Sequence, residues 1–272
     1  MTVTAEPTAT RALPGAYGTR IRVELKEFFR QRESVVFTLL FPIGLLLVFG
    51  AVLHYDIGNG VSFTQYFLAG VIAAGVLGAS LQNLAIHIAG ERSDGTLKAL
   101  AGTPMPKTAY FVGKIVQVLV LAVVTVVLLL LIGALVFSTR LPSGRGWFTL
   151  VWVTLLGAAA CTLLGIAVSS VCRNGRSASA TVTPIALLLE VVSGVFMPFD
   201  QVPGWLQGVA AVFPLKWMAQ GLRSVFLPQA LAAKEPAGDW ELGRVALVLA
   251  IWCVVGLLLC ARTFRWQDRG DR

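Results

Sequence analysis

Charge is what this chain has least of. Only 13% of its 272 residues are Asp, Glu, Lys or Arg, against about 25% in an ordinary soluble domain. Apolar residues make up 56%, and mean hydropathy is +0.77. A globule this small has too much surface for its volume to hide so many apolar side chains. Lipid must therefore cover much of it, which excludes a soluble enzyme, a disordered tail and a secreted disulfide scaffold. Cysteine is scarce too: Cys161, Cys172, Cys253 and Cys260, with no CxxC pair. Three of the four fall inside apolar runs, so they read as small buried hydrophobes rather than zinc ligands or a disulfide framework. No N-x-S/T, HExxH or GxSxG pattern occurs, and no span holds paired carboxylates. An intramembrane enzyme would need such a cluster. The net charge of +8 does not point to nucleic acid, because the charges lie in short loops between apolar runs.

Those runs are what the chain has in abundance. A membrane span needs about 20 mainly apolar residues to cross about 30 Å of hydrocarbon. Six stretches qualify: Ser34–Leu53, Tyr66–Ile88, Phe111–Phe137, Trp147–Val171, Ala178–Phe196 and Val245–Phe264. The first is too long for a signal-peptide core and lacks a small-x-small exit. The segments before the first run and after the second, fourth and sixth hold sixteen of the 22 Lys and Arg residues. The positive-inside rule then places both termini in the cytoplasm. Trp147, Trp205, Trp217 and Trp240 fall near the outer interface and Trp266 near the inner one, depths that suit amphipathic rings.

Outside the runs lie four informative segments. Residues 1–16, rich in Thr, Ala and Pro, read as a disordered tail. Tyr17–Glu33 reads as an amphipathic helix, with Ile21, Leu25, Phe28 and Phe29 at helical spacing and Arg20, Arg22, Lys26, Glu27 and Arg30 on much of the rest. It would lie in the inner interface, either as an anchor or as a surface that also meets a cytoplasmic partner. The inner loop 89–107 carries Glu91, Arg92, Asp94 and Lys98, a turn at Gly95, an apolar edge of Leu97 and Leu100, and stops at Pro104 and Pro106. It is either a short helix offered to a partner or a solvated connector. The outer stretch 197–227 is apolar but broken by Pro198, Pro203 and Pro214 into pieces too short to span. Paired helices dipping into the outer leaflet, or lying flat on it, fit that pattern. Gln201, Gln207, Gln220 and Arg223 would supply their polar faces.

With these residues in order, the chain resembles the membrane subunit of type-2 ATP-binding-cassette exporters from about Tyr17 onward. The resemblance rests on Glu91-Arg92-x-x-Gly95-Thr96-Leu97, then Thr103-Pro104 and Gly113-Lys114. It rests equally on Gly194-x-Phe196-x-Pro198…Pro203-x-Trp205…Pro214…Leu222-Arg223. The look is nearest to actinobacterial daunorubicin-resistance-type permeases. The resemblance implies an all-α polytopic membrane protein in a bacterial cytoplasmic membrane. It would have six transmembrane helices, an N-terminal interfacial helix, a cytoplasmic coupling helix and an outer re-entrant helix pair. It implies that Glu91, Arg92, Asp94, Gly95, Thr96, Leu97 and Lys98, with Arg22, Lys26, Phe28, Phe29 and Arg30 of the N-terminal helix, meet a separate ATPase subunit. Phe196, Pro198, Pro203, Trp205, Pro214 and Arg223 would help close the outer exit. Two permease copies, read as a homodimer, and two ATPases would make the transporter, with ATP and Mg on the ATPases. This chain has no P-loop of its own: the nearest stretch, Gly102 to Thr108, lacks the glycine before Lys107 and has prolines instead.

Polar residues inside the runs are few. Glu190 is the one acid within a span, and it must face protein or water, either as a point in the substrate path or as a structural carboxyl. Gln82, Asn83 and His87 either line a cavity or join helices by hydrogen bonds. Two small-residue ridges, Gly70/Ala74/Gly78 and Gly157/Cys161/Gly165, permit close helix contact. A secondary transporter, the first rival, would carry more spans, internal repeats and several ionisable groups within the membrane.

Overall fold

The computed structural model describes residues 15–103 and 105–263. Residues 1–14 of the expected tail, Pro104, Phe264 at the end of the last run and the tail 265–272 with Trp266 lie outside the described residues. Among those described, the backbone is helical, with no strand beyond one isolated bridge between Asp56 and Ser62.

Helix α1 (Ala16–Arg30) starts at Ala16, inside the expected tail, and ends where Gln31 turns extended. Arg32 and Glu33, expected to belong to it, open α2 (Arg32–Val52) instead. Then come α3 (Phe63–Ser93), the six-residue α4 (Thr96–Ala101), α5 (Lys107–Phe137) and α6 (Arg145–Ser169). The chain closes with α7 (Gly175–Val192), α8 (Gly204–Ala210), α9 (Pro214–Phe226) and α10 (Leu242–Thr263). Local chemistry sets several starts. The Ser62 side chain caps α3 by accepting from Gln65 N–H, and Asn174 with Ser177 forms a reciprocal capping box on α7.

Five helices are long and apolar enough to cross a membrane: α2, α3, α5, α6 and α10. Helix α7, which covers most of the expected fifth span, is not among them. Arg176, Ser177, Ser179, Thr181 and Thr183 dilute its first half, and it stops at Val192 before Gly194 turns left-handed at φ 73°. Helix α3 is the central one: 83% of its most apolar stretch is buried, against 28% in α2 and 17% in α10. Helices α2, α5, α6, α7 and α9 pack on it, α10 packs on α6 and α9, and the principal core joins α3, α5, α6, α9 and α10.

Inside α3 the ladder widens to a π-helical turn at Gly78–Gln82. There the backbone bulges onto α6, and Gly165 is what lets it in. A Cβ on Gly165 would sit 2.9 Å from Leu81 O and 3.0 Å from Ser80 O. Gly70 likewise meets the backbone of Val195, and Gly157 the Met218 side chain. Both small-residue ridges therefore serve packing within the chain.

The expected helix pair before the last run exists as α8 and α9, preceded by a 3-10 turn at Phe199–Gln201. Of its four polar residues, Gln201 is exposed as the sequence put it and the other three are not. Gln220 and Arg223 are fully buried, and Gln207 turns inward to the carbonyls of Phe199 and Val202. Trp217 and Trp240, expected at an interface, are core residues, whereas Trp205 is 71% exposed.

Candidate functional site

The sequence places the cations of α1 on its outer side and its apolar residues inward. The structure splits the helix differently. Arg20, Glu24 and Phe28, spaced i, i+4 and i+8, are buried against α5, and Arg22, Lys26, Phe29 and Arg30 are exposed. Phe28 and Phe29 thus leave the helix in different directions, rings edge to face at 5.4 Å. The close seating of α1 depends on Gly113. A Cβ there would lie 3.0 Å from Arg20 Cγ and 3.1 Å from Glu24 Cγ.

Burying Arg20 and Glu24 would be costly without partners, and α3 and α5 supply them. Lys114 Nζ, one residue past that glycine, donates to Glu24 Oε2 at 2.7 Å and to Glu91 Oε1 at 2.6 Å. Tyr110 Oη, a turn earlier on α5, donates to the other Glu91 oxygen at 2.6 Å. Arg20 pairs with Glu24, stands 3.8 Å from Glu91 and lies over the Tyr110 ring at 5.2 Å. Two cations and two carboxylates therefore balance in one buried junction. Burial pushes the Glu24 carboxyl above its ordinary value, Lys114 pulls it down, and neighbouring Glu91 pushes it up again. Glu24, Glu27 and Glu91 also bring carboxylate oxygens within 4.8 Å of one another, the spacing of a metal cage. The Lys114 ammonium already stands between two of them and does what a bound cation would do.

Further bonds extend the junction. His87, one turn before Glu91, shares a 3.2 Å hydrogen bond with Ser34 Oγ of α2, and Ser34 donates to Gln31. Arg92 donates to the Ser169 carbonyl at the end of α6, at 2.8 Å. The ends of α1, α2, α3, α5 and α6 thus meet in one connected polar layer.

Three residues expected to face a partner are turned inward, Phe28 of α1 among them. Glu91 is in the last turn of α3 rather than in the loop, and is held by Lys114 and Tyr110. Leu97 is buried in a small core with Leu84, Ile88, Tyr110, Val118 and Ile166. Arg92 is half-buried on its bond to α6. Asp94, Thr96 and Lys98 remain exposed, grouped around Gly95, whose φ of 76° gives the turn between α3 and α4. Elsewhere, Gln82 donates to Thr183 Oγ1 of α7 at 2.8 Å, and Asn83 is buried beside it. The Glu190 side chain is 7% exposed and makes no hydrogen bond or ion pair among the described residues.

A second polar knot lies at the opposite end of α3. Arg223 of α9 donates to Glu235 at 2.7 Å and to the Gly194 carbonyl at 3.3 Å, and lies over the Tyr66 ring at 5.5 Å. Tyr66 Oη bridges the carbonyls of Gly194 and Met197, at 2.9 and 3.1 Å. Arg223 is therefore an internal tie rather than an exposed face. Pro198 and Pro214 are buried, Pro203 is exposed, and Phe196 packs half-buried against the rings of Phe49 and Phe67. Tyr66→Phe removes one shared donor, leaving the buried Gly194 carbonyl to Arg223 alone and the part-buried Met197 carbonyl short of it. It is expected to cost about 1–2 kcal/mol, read as a lower melting temperature of the purified protein in detergent.

Sequence reasoning missed Glu24, Tyr110, Tyr66 and Glu235 as parts of these knots. One signal was available: Lys114 sits four residues inside an apolar run and needed an acid.

Comparison with known proteins places this architecture. The chain is 24% identical over 191 residues to a Bacillus subtilis protein named as transport permease YvfS, covering 70% of this chain and 77% of that one. It is 25% identical over 173 residues to the Escherichia coli protein named as multidrug ABC transporter permease YbhS, covering 62% of this chain and 45% of that one. To the E. coli permease YbhR it is 23% identical over 145 residues, covering 53% and 39%. The chain therefore spans less than half the length of the two E. coli relatives. Residues 54–262, well over half of the chain, match the model of the ABC-2 family transporter protein. The chain belongs to the ABC-2 family of membrane transport proteins.

Proposed function

We propose that this chain is the membrane half of an ATP-driven exporter of an amphipathic or lipophilic compound, such as a drug, a lipid or a lipid-linked glycan. Helix α7 is its fifth span, so the chain crosses six times with both ends in the cytoplasm of a bacterial cell. Two copies pair as a homodimer, and a separate ATPase subunit, also in two copies, binds ATP and Mg. The daunorubicin-type resemblance favours a drug among the substrates. Gln82, Asn83 and Glu190 are then polar points near the path, and α8 with α9 closes the outer exit.

The buried junction of Glu24, Glu91 and Lys114 carries this reading. It sits where the turn at Gly95 leads into α4, so a push on α4 passes to α3 and, through one ammonium, to α1 and α5. These helices would move as one body, as a rocking half-transporter requires. The ATPase supplies the energy by binding the two states unequally.

The test is purification of the tagged chain from its host in mild detergent, with co-purifying proteins identified and ATP hydrolysis measured. Asp94→Lys and Thr96→Lys alter the exposed turn and are expected to lower ATPase recovery about tenfold or more, or ~1.4 kcal/mol of contact, at unchanged yield of the chain. Glu91→Lys would not serve, since it breaks the junction. Recovery of intact wild-type chain alone, even after gentle crosslinking, would favour an ATP-independent transporter.

A further inference from the structure

The exposed side of α1, whose Lys26 and Arg30 the family resemblance assigns to an ATPase contact, also carries a groove. Val23, Lys26, Glu27, Arg30 and Gln31 line it. Lys26 and Arg30 are one helical turn apart, so their Cβ atoms are about 5–6 Å apart. Two long cations at that spacing can close on a single phosphate. Neither side chain makes a hydrogen bond or ion pair among the described residues, and the Glu27 carboxylate makes none either. The charges behind them, Arg20, Glu24, Glu91 and Lys114, cancel one another in the junction. The field over the groove is therefore set by the surface cations Arg22, Lys26, Arg30 and Arg32, against Glu27 and Glu33.

Its depth is fixed by the chain. Helix α1 ends at Arg30, and the first membrane-crossing candidate begins at Arg32, with Gln31 alone between them. The last turns of α1 must then lie at the membrane surface, where phospholipid headgroups stand. Val23, 44% exposed, gives the groove an apolar wall.

We propose that this groove binds the headgroup of an anionic phospholipid, with its phosphate between Lys26 and Arg30. Gln31 can donate to a second phosphate oxygen, and Glu27 can accept from the hydroxyls of a glycerol headgroup. The excess of cations selects an anionic over a zwitterionic lipid. This inference rests on the membrane position of α2 and needs no ATPase, so it stands or falls apart from the exporter reading.

The whole chain in detergent would be titrated with phosphatidylglycerol, phosphatidylcholine or inorganic phosphate, and bound lipid counted by native mass spectrometry. Phosphatidylglycerol is expected to bind, phosphatidylcholine to bind far more weakly, and millimolar phosphate not to displace the lipid. Lys26→Gln with Arg30→Gln should weaken phosphatidylglycerol binding about thirtyfold, each cation near the surface contributing about fivefold. Arg22→Gln, which adds to the field but does not line the groove, should weaken it by about fivefold at most. Should the double variant melt early without lipid, Val23→Asp gives the same reading by placing a carboxylate in the groove, and should weaken binding. Unchanged binding in the folded double variant, or in Val23→Asp, overturns the proposal. So does an equal loss from Arg22→Gln, which would mean a diffuse basic surface. Equal binding of phosphatidylcholine, or displacement by free phosphate, overturns it too.

Discussion

Lys114→Met is expected to remove most of the folded protein from the membrane fraction. The side-chain volume is nearly kept, so the effect is electrostatic. The change leaves Glu24 and Glu91 facing each other with Arg20 as their one cation, at side-chain exposures of 2% and 8%. Removing one partner from a buried ion pair typically costs about 3–5 kcal/mol, because the remaining charge cannot recover its water. Losses of that size approach the whole stability of many proteins. Adding Glu91→Gln should restore most of what is lost, since the pair Arg20 and Glu24 is then neutral by itself. Fluorescence-detected size exclusion of tagged variants, followed by thermal melts, reads both effects. A single variant as stable as wild type would mean that the junction contributes nothing.

Gly165→Ala should be nearly as damaging, for a steric reason. Its Cβ would lie 2.9 Å from Leu81 O, 3.0 Å from Ser80 O and 3.1 Å from Leu81 Cα, all of them backbone atoms of α3. A side chain could swing aside, but a π-helical turn in the central helix cannot, short of moving α6 away. Overpacking typically costs about 1–3 kcal/mol when neighbours can adjust, so about 3 kcal/mol or more is expected here. Gly44→Ala in α2 is the matched control, because nothing lies within 4 Å of its would-be Cβ. Alanine is also the better helix former by about 1 kcal/mol, so Gly44→Ala should hold or slightly raise the melting temperature. Equal melting of the two variants would refute the close approach.

The all-helical fold was legible because spanning a membrane is a matter of length and composition, which local sequence records directly. Legibility failed at α7, where hydroxyl residues and Arg176 leave a helix near the limit by either measure. It failed more instructively in α1. Helical periodicity separates apolar from polar positions, and by that rule Arg20 fell on the polar side, while Glu24 was not singled out. What buries them is Lys114, 90 residues away, and no local pattern reports a partner at that distance. Leu97 and Arg223 went astray for the same reason. Each was assigned outward by the character of its segment, and each is held inward by residues from other helices. The turn at Gly95 was legible because a left-handed residue before a new helix is a local requirement that glycine meets.

The junction also sets an order of events on the ribosome. Glu24 emerges 90 residues before Lys114, a delay of roughly 5–20 s at bacterial or eukaryotic synthesis rates of about 5–20 residues per second. Until then Glu24 has only Arg20 of its own helix as a partner, and the pair has no seat on α5 to be buried in. The helix must wait at the membrane surface while the first two spans go in, and can dock only when the third arrives. Helix α1 therefore reaches its final seat only after spans that are made later than it, and a nascent chain stalled before Lys114 would leave that helix undocked.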